Sequence, residues 1–221
     1  MTLGRASLAL AIVAMLGAAV VSAQRSGGGV EATVQDDKGK PVEDAVLLLH
    51  AGPDLRPAPT SAAMDQVDKE FVPHVLPIPI GTAVNFPNRD NIKHHVYSFS
   101  APKKFELQLY TGTPASPVVF DKPGLVVLGC NIHDWMVGYV YVLDTPYFAK
   151  TGADGKARLA AVSPGSYEAH VWHPRMRLAV EKTAQPLTVS AAEPGRLAWT
   201  LALKREFRRP RGPGRYDQPI N

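Results

Sequence analysis

The sequence predicts an all-β protein made of two β-sandwiches, and three observations support this fold class. The 221 residues include 18 glycines and 20 prolines, so turns are frequent. Apolar and polar residues alternate over short runs, as they do in half-buried strands. No run with helical periodicity is long enough to predict a helix. With 45% hydrophobic residues, the chain can bury a core and is neither disordered nor polytopic in a membrane.

Residues 1–23 have the composition of an export signal. Arg5 is the only charged residue there, an apolar run follows, and Val21-Ser22-Ala23 is a small-residue cleavage site. We expect this segment to be cleaved. The mature chain would then have no stable membrane span and would work in the periplasm. An uncleaved anchor is the alternative, because the apolar run of residues 6–23 is at the lower edge of the length that spans a bilayer.

The first predicted strand after the signal is residues 30–35, where apolar and polar residues alternate. Residues 36–39, Asp-Asp-Lys-Gly, predict a hairpin turn, and residues 45–49 predict a second, more buried strand. Residues 51–60 contain three prolines and a glycine, so we expect no regular structure there. Short strands then follow closely, which indicates a sandwich or barrel; they are residues 75–78, 82–86, 94–99, 105–109, 118–120, 126–128 and 137–143.

The pattern of turn and strand residues changes after residue 146. The turns and strands of residues 152–172, together with Gly39-Lys-Pro-Val42 near the start, resemble the carboxypeptidase-regulatory-like (transthyretin-like) β-sandwich. About 100 residues separate the two halves, and loop tips tolerate the insertion of a domain. The resemblance therefore implies one sandwich interrupted by another domain. The predicted boundaries are 1–23 (signal), 24–61 (first part of the sandwich), 62–143 (inserted domain), 144–203 (remainder) and 204–221 (tail).

The high isoelectric point of the chain belongs to its tail. Residues 204–221 contain six basic and two acidic side chains, and the rest of the mature chain is nearly neutral. With its prolines and glycines, the tail is predicted to be disordered. It is either a solubilising segment or a docking segment for an acidic partner. A folded basic face is not predicted, so nucleic acid is not an expected partner.

The residues that carry chemistry lie in the run Cys130-Asn-Ile-His133-Asp-Trp-Met136. The chain has a single cysteine, which excludes a disulfide framework and requires burial or a metal to protect the thiol outside the cytoplasm. A cysteine, two histidines and a weak axial methionine are the ligands of blue-copper sites. The loop lies between two predicted strands and can aim three side chains at one point. The second imidazole must come from a distant strand, and His94 or His95 supplies it.

This run resembles the cupredoxins, most closely the amicyanin and plastocyanin-like group. The block Ile80-Gly81 to Phe86-Pro-Asn88, with His94-His95-Val96, matches their upstream motif. The spacing of Cys130, His133 and Met136 matches their ligand loop. The whole chain also looks like cupredoxin-type proteins labelled methylamine-utilisation proteins.

The resemblance implies one type 1 copper ion with His94, Cys130, His133 and Met136 as its ligands. Strand alternation places His94 and His95 on opposite faces, so both cannot reach one metal. His95 stands where the family commonly has Asn. We expect His95 and Asn88 to lie beside the site, either orienting a ligand or replacing one.

The sequence thus predicts an exported blue-copper protein that is not an enzyme and carries single electrons between redox proteins. Its contact with those partners is expected at the far edge of His133, which is flanked by the apolar residues Ile132, Trp135 and Val137. Two alternatives remain: a copper-binding or delivery protein that does not change redox state, and a structural binding module. His74 is expected to be structural or exposed, and His170 and His173 to face solvent.

Overall fold

The computed structural model describes residues 28–50 and 56–205. The predicted export signal lies outside the described residues, and so does the tail after Arg205. The described chain consists of strands and a single 3₁₀ helix, so the predicted all-β fold class is confirmed. In these ranges no helix has the length and apolar character needed to cross a membrane.

Seventeen strands are described, and they form two groups. The first group comes from the two ends of the described chain and is called the flanking sandwich: β1 (Gly28–Asp36), β2 (Val46–His50), β13 (Phe148–Lys150), β14 (Lys156–Val162), β15 (Gly165–Trp172), β16 (Gln185–Val189) and β17 (Gly195–Leu201), with the 3₁₀ helix Val180–Thr183 between β15 and β16.

The second group is called the inserted unit and occupies the middle of the chain. Its strands are β3 (Ser61–Ala63), β4 (Asp65–Val67), β5 (Glu70–Val72), β6 (Val75–Pro79), β7 (Thr82–Asn85), β8 (His94–Ser98), β9 (Phe105–Tyr110), β10 (Val118–Phe120), β11 (Gly124–Gly129) and β12 (Val137–Leu143).

The flanking sandwich packs two sheets face to face, in the strand orders β14-β1-β17 and β13-β2-β15-β16. In β1, Val30, Ala32 and Val34 are buried, while Glu31 and Thr33 between them are exposed. These side chains meet apolar residues of β2 and β15, such as Leu47 and Val171, in one core. Because β2 pairs with β13 and β15, both ends of the described chain build this sandwich.

The inserted unit contains a five-stranded sheet, β6-β12-β11-β8-β9, a three-stranded sheet, β10-β7-β3, and the β4-β5 pair. Its core includes three large aromatic side chains, Phe71, Phe86 and Phe120, together with Cys130 and Met136. The two chemistry-bearing side chains are therefore part of the packed interior.

A third apolar cluster joins the two groups of strands. Val46 and Leu48 of β2 are fully buried against Val75 and Leu143 of the inserted unit. Trp172 lies beside these residues, with ring centroids 5.9 Å from Tyr139 and 5.1 Å from Tyr141. The outer face of the five-stranded sheet is thus partly covered by the flanking sandwich.

The predicted hairpin turn at residues 36–39 is confirmed, because Gln35 pairs antiparallel with Pro41 across it, but the pairing does not extend into β2. The turn forms, with Gly39 at a φ of 77° and the Asp36 carboxylate accepting hydrogen bonds from the amides of Lys38 and Lys40. The strands on either side, however, belong to different sheets. Each strand is recruited by the sheet that buries its apolar face, and turn residues do not specify that choice.

Candidate metal centre

Three predicted ligands come together at one end of the inserted unit. Strand β11 ends at Gly129, directly before Cys130, and pairs there with Tyr97 of β8. This pairing brings the start of β8, which carries His94, beside the loop that carries Cys130 and His133. A Cβ atom at position 129 would lie 2.8 Å from the outer end of the Tyr97 side chain, so a larger residue there would displace that ring.

The ligand atoms of His94, Cys130 and His133 all lie within 4.8 Å of one another. The Cys130 Sγ is 3.9 Å from Nδ1 of His94 and 3.7 Å from Nδ1 of His133. Bonds of about 2.3 Å to sulfur and about 2.1 Å to nitrogen, at an angle of about 110–120°, hold such atoms roughly 3.6–3.8 Å apart. The donor set therefore fits a single soft or borderline metal ion.

All three side chains are removed from solvent. His94 and His133 are 0% exposed and Cys130 is 2% exposed. A metal held there would be surrounded by protein, and its ligands would be fixed by the packing of the core.

Asp90 sets the orientation of the His94 ring. Nε2 of His94 donates a hydrogen bond to Oδ2 of Asp90 at 2.7 Å. Because a carboxylate only accepts, Nε2 carries the hydrogen, and Nδ1 presents its lone pair toward Cys130. Asp90 is held in turn by the backbone amides of Asp68 and Lys69, at 2.7 and 2.9 Å. The sequence analysis missed this role, although an acidic residue four positions before a ligand histidine was a visible signal.

The same contact acts on the pKa values of both groups. Burial lowers the pKa of His94 below its ordinary value, although the neighbouring Asp90 carboxylate opposes this shift. Burial tends to raise the pKa of Asp90, but the hydrogen bonds from His94, Lys69 and Asp68 outweigh it and lower that pKa. Both shifts favour the protonation states that metal binding needs at the ring: a neutral imidazole beside an ionised carboxylate.

Met136 closes the ligand loop. Its backbone N–H donates to the carbonyl of His133 at 2.9 Å, which makes a tight turn at the end of the loop. Its side chain is buried in the same core cluster as Cys130. The structure therefore places the predicted thioether ligand inside the unit that carries the three other predicted ligands.

The two further predicted residues lie beside the site in different ways. His95 is buried on the opposite face of β8, where Nε2 contacts Oε1 of Glu106 at 2.8 Å and the ring contacts Tyr97. Asn88 donates from its side-chain amide to the carbonyls of Ile92 and Tyr110, at 2.8 and 2.9 Å. Asn88 thus links the segment before His94 to the strand that pairs with it. Neither residue belongs to the three-residue cluster.

A polar group that the sequence analysis did not single out lies close to Cys130. Tyr110 is the cross-strand partner of His94, and its hydroxyl donates to the carbonyl of Phe86 at 2.6 Å. The fully buried Gln66 donates to the same hydroxyl and carbonyl. Burial raises the pKa of Tyr110 to about 12. The hydrogen bond from Gln66 opposes this shift, and the charge of Cys130 adds to it. Tyr110 is therefore neutral and ties β9 to the core.

The far edge of His133, where contact with partners was expected, is buried. The side chain is 0% exposed, because its ring is packed between His94, with centroids 4.9 Å apart, and Trp135, with centroids 5.3 Å apart. Trp135, one of the apolar residues expected to flank that edge, therefore packs directly against the ring.

The expectation that His170 and His173 face solvent is wrong, since each is 6% exposed. His170 does lie on the face of β15 opposite Val171, but that face is covered: its Nδ1 contacts the carbonyl of Val180 at 3.2 Å. His74 is exposed, which is one of the two environments expected for it, and its ring contacts Tyr139 with centroids 5.3 Å apart. None of these three histidines belongs to a metal-type cluster among the described residues.

No protein-family model and no curated protein sequence matches this chain. Among solved structures, a purple cupredoxin from Nitrosopumilus maritimus matches with 26% identity and a TM-score of 0.33, over 37% of this chain and 99% of that one. An oxidised amicyanin variant matches with 19% identity and a TM-score of 0.34, over 37% and 80% of the two chains. A copper-containing nitrite reductase from Thermus scotoductus SA-01 matches with 27% identity and a TM-score of 0.35, over 51% and 28%.

Proposed function

We propose that this protein is an exported type 1 copper protein that carries single electrons between redox partners. Cys130, His94 and His133 would hold the copper ion, and Met136 would supply a fourth, weaker thioether ligand. The observation that carries this proposal is the convergence of one thiol and two imidazole Nδ1 atoms within 4.8 Å, all of them buried. Methionine is a poor ligand for zinc, so the thioether in the same core favours copper.

Copper bound to such a set of ligands exchanges one electron between its two oxidation states. The residues of this chain supply the conditions for that exchange. Asp90 orients His94, the turn from His133 to Met136 fixes the loop, and core packing holds Cys130. A pre-formed, rigid set of ligands keeps the structural change on electron transfer small.

The same burial supports an electron carrier over an enzyme. A catalytic metal site keeps an open coordination position for a substrate. Here the two imidazoles and the thiol are inaccessible to solvent, so the site is suited to electron exchange without a bound substrate. The export of the chain is part of the proposal and is supported by the composition of residues 1–23.

The visible spectrum of the copper-loaded mature protein tests the proposal. We expect an intense thiolate-to-Cu(II) absorption band with a narrow copper hyperfine splitting. Cys130→Ser should lose the band even where copper still binds, whereas Met136→Leu should keep it and change the reduction potential. A colourless complex of the wild-type protein, or a band that survives Cys130→Ser, would contradict the proposal. Protein that binds Cu(I) but resists a mild one-electron oxidant would indicate copper delivery instead.

A further inference from the structure

Trp135 is a partly exposed residue that packs against the buried His133. His133 stands in a loop whose residues Asn131 and Asp134 are exposed, yet its own side chain is 0% exposed. The Trp135 ring contacts the His133 ring, with centroids 5.3 Å apart and planes at 56°. Trp135 itself is only half-buried, so this residue reaches the surface where His133 does not.

The indole nitrogen shows what holds Trp135 in this position. Nε1 is buried and has no hydrogen-bond partner among the described residues. A buried N–H without a partner is unfavourable. The indole is therefore held there by ring packing against His133 and not by a hydrogen bond.

We propose that Trp135 closes the His133 side of the metal centre. The indole excludes water and small anions from the imidazole, so a protein partner at this side touches Trp135 and not His133. The role in electron transfer rests on the proposed function, but the geometric claim does not depend on a metal. It makes Trp135 the residue that determines which molecules can approach the site.

Chemical labelling of the metal-free mature protein tests the cover directly. Diethyl pyrocarbonate modifies accessible neutral imidazoles, and mass spectrometry of peptides reports each histidine separately. The exposed His50 serves as the internal reference. In the wild-type protein we expect His133 to react at least ~10-fold more slowly than His50, because reaction needs a local opening.

Two variants at position 135 separate covering from other effects. Trp135→Phe keeps a ring over His133 and removes the unpartnered N–H, so His133 should stay protected. Trp135→Ala should raise the labelling of His133 toward that of His50, while His94 stays protected and reports that the fold is intact. Phe99→Ala is the matched control, because Phe99 is a 79% exposed aromatic residue elsewhere on the same unit and should not matter. If the Ala variant also exposes His94, Trp135→Val takes its place.

The inference is overturned if His133 reacts as fast as His50 in the wild-type protein. It is also overturned if His133 stays protected in the folded Ala or Val variant. With copper bound, azide should perturb the blue band of Trp135→Ala but not that of the wild type; an unperturbed band in that variant overturns the exclusion of anions. A wild-type protein that never shows the blue band contradicts the proposed function. The labelling of His133 still shows in that case whether Trp135 shields the imidazole.

Discussion

Both parts of the chain bury histidines inside β-sheet structure, but the ring nitrogens of these histidines have different hydrogen-bond partners. In the flanking sandwich, both nitrogens of His170 face acceptor oxygens, those of Val180 and Glu168. In the inserted unit, only Nε2 of His94 faces an acceptor, and Nδ1 is directed at a thiol. An imidazole becomes available to a metal when one nitrogen is held by the protein and the other is left with its lone pair.

The two parts also differ in the charged groups that lie near a buried imidazole and shift its pKa. His94 has the Asp90 carboxylate at 2.7 Å, which opposes the effect of burial on its pKa. His173 has a less favourable environment: burial first, then the positive Arg175 and the nearby His74, lower its pKa to about 4, although Asp44 and the Glu43 backbone oppose the shift. Burial alone therefore does not make a site, because the neighbouring charges and the direction of the lone pairs decide it.

The largest expected effect comes from removing one ring from each part. His94→Gly should abolish the blue band of the copper-loaded protein, because the cluster loses one of its three closest ligand atoms. Added imidazole should partly restore the band by filling the vacated space. His170→Gly, which removes an equally hidden ring outside the cluster, should keep the band. Equal spectra for the two variants would remove the distinction between the two parts.

Separating the two parts tests whether they are independent domains, as we propose. A fragment of residues 60–144 includes β3, whose first residue, Ser61, pairs with Ala83. We expect it to fold and to bind copper, but with a free energy of unfolding lower by about 3–6 kcal/mol, because Val75 and Leu143 lose their cover. Urea unfolding followed by the blue band measures this difference. An unfolded fragment beside a stable full chain would show that the parts are not separable.

The buried His173 should make the metal-free protein sensitive to acid. Its folded-state pKa of about 4 is below the ordinary value of 6.5, so the unfolded chain takes up a proton first as the pH falls. The contribution of the neutral His173 to the free energy of unfolding is therefore complete above pH 6.5. It is lost as the pH falls from 6.5 to 4, and the loss is at most about 3 kcal/mol. Urea unfolding at several pH values should show that His173→Phe flattens this part of the profile. The exposed His50→Gln is the control and should follow the wild type.

The smallest effect is expected at His95. His95→Asn removes a contact with Glu106, a residue with an exposed side chain, so the stability change should be about 1 kcal/mol or less. The blue band should persist and only the reduction potential should shift. Loss of the band in this variant, with survival of the band in His94→Gly, would place the metal on His95. The register of β8 would then be wrong by one residue.

Local patterns in the sequence predicted most of the longer strands and the direction of side chains along them, but they missed the strands β3, β4, β5, β13, β16 and β17. Alternation predicted that His94 and His95 lie on opposite faces of β8, and the face of His94 is the one on which Val96 and Ser98 are buried with it. The opposite face carries His95, Tyr97 and Phe99, whose rings contact one another in series. Side chains alternate with a fixed period of two in any strand, so this property needs no knowledge of the fold.

Only the tertiary structure decided what covers each face. His170 was expected to face solvent and is buried, because the Val180 segment lies over it. The far edge of His133 was expected to meet partners, and its ring is buried against Trp135. The partnership of His94 with Asp90 depends in the same way on a loop anchored by the amides of Asp68 and Lys69. The sequence by itself determined which residue types could bind a metal and on which face of a strand they lie. Their burial, their lone-pair direction and their access to partners depend on contacts between distant segments, and no local pattern specifies those.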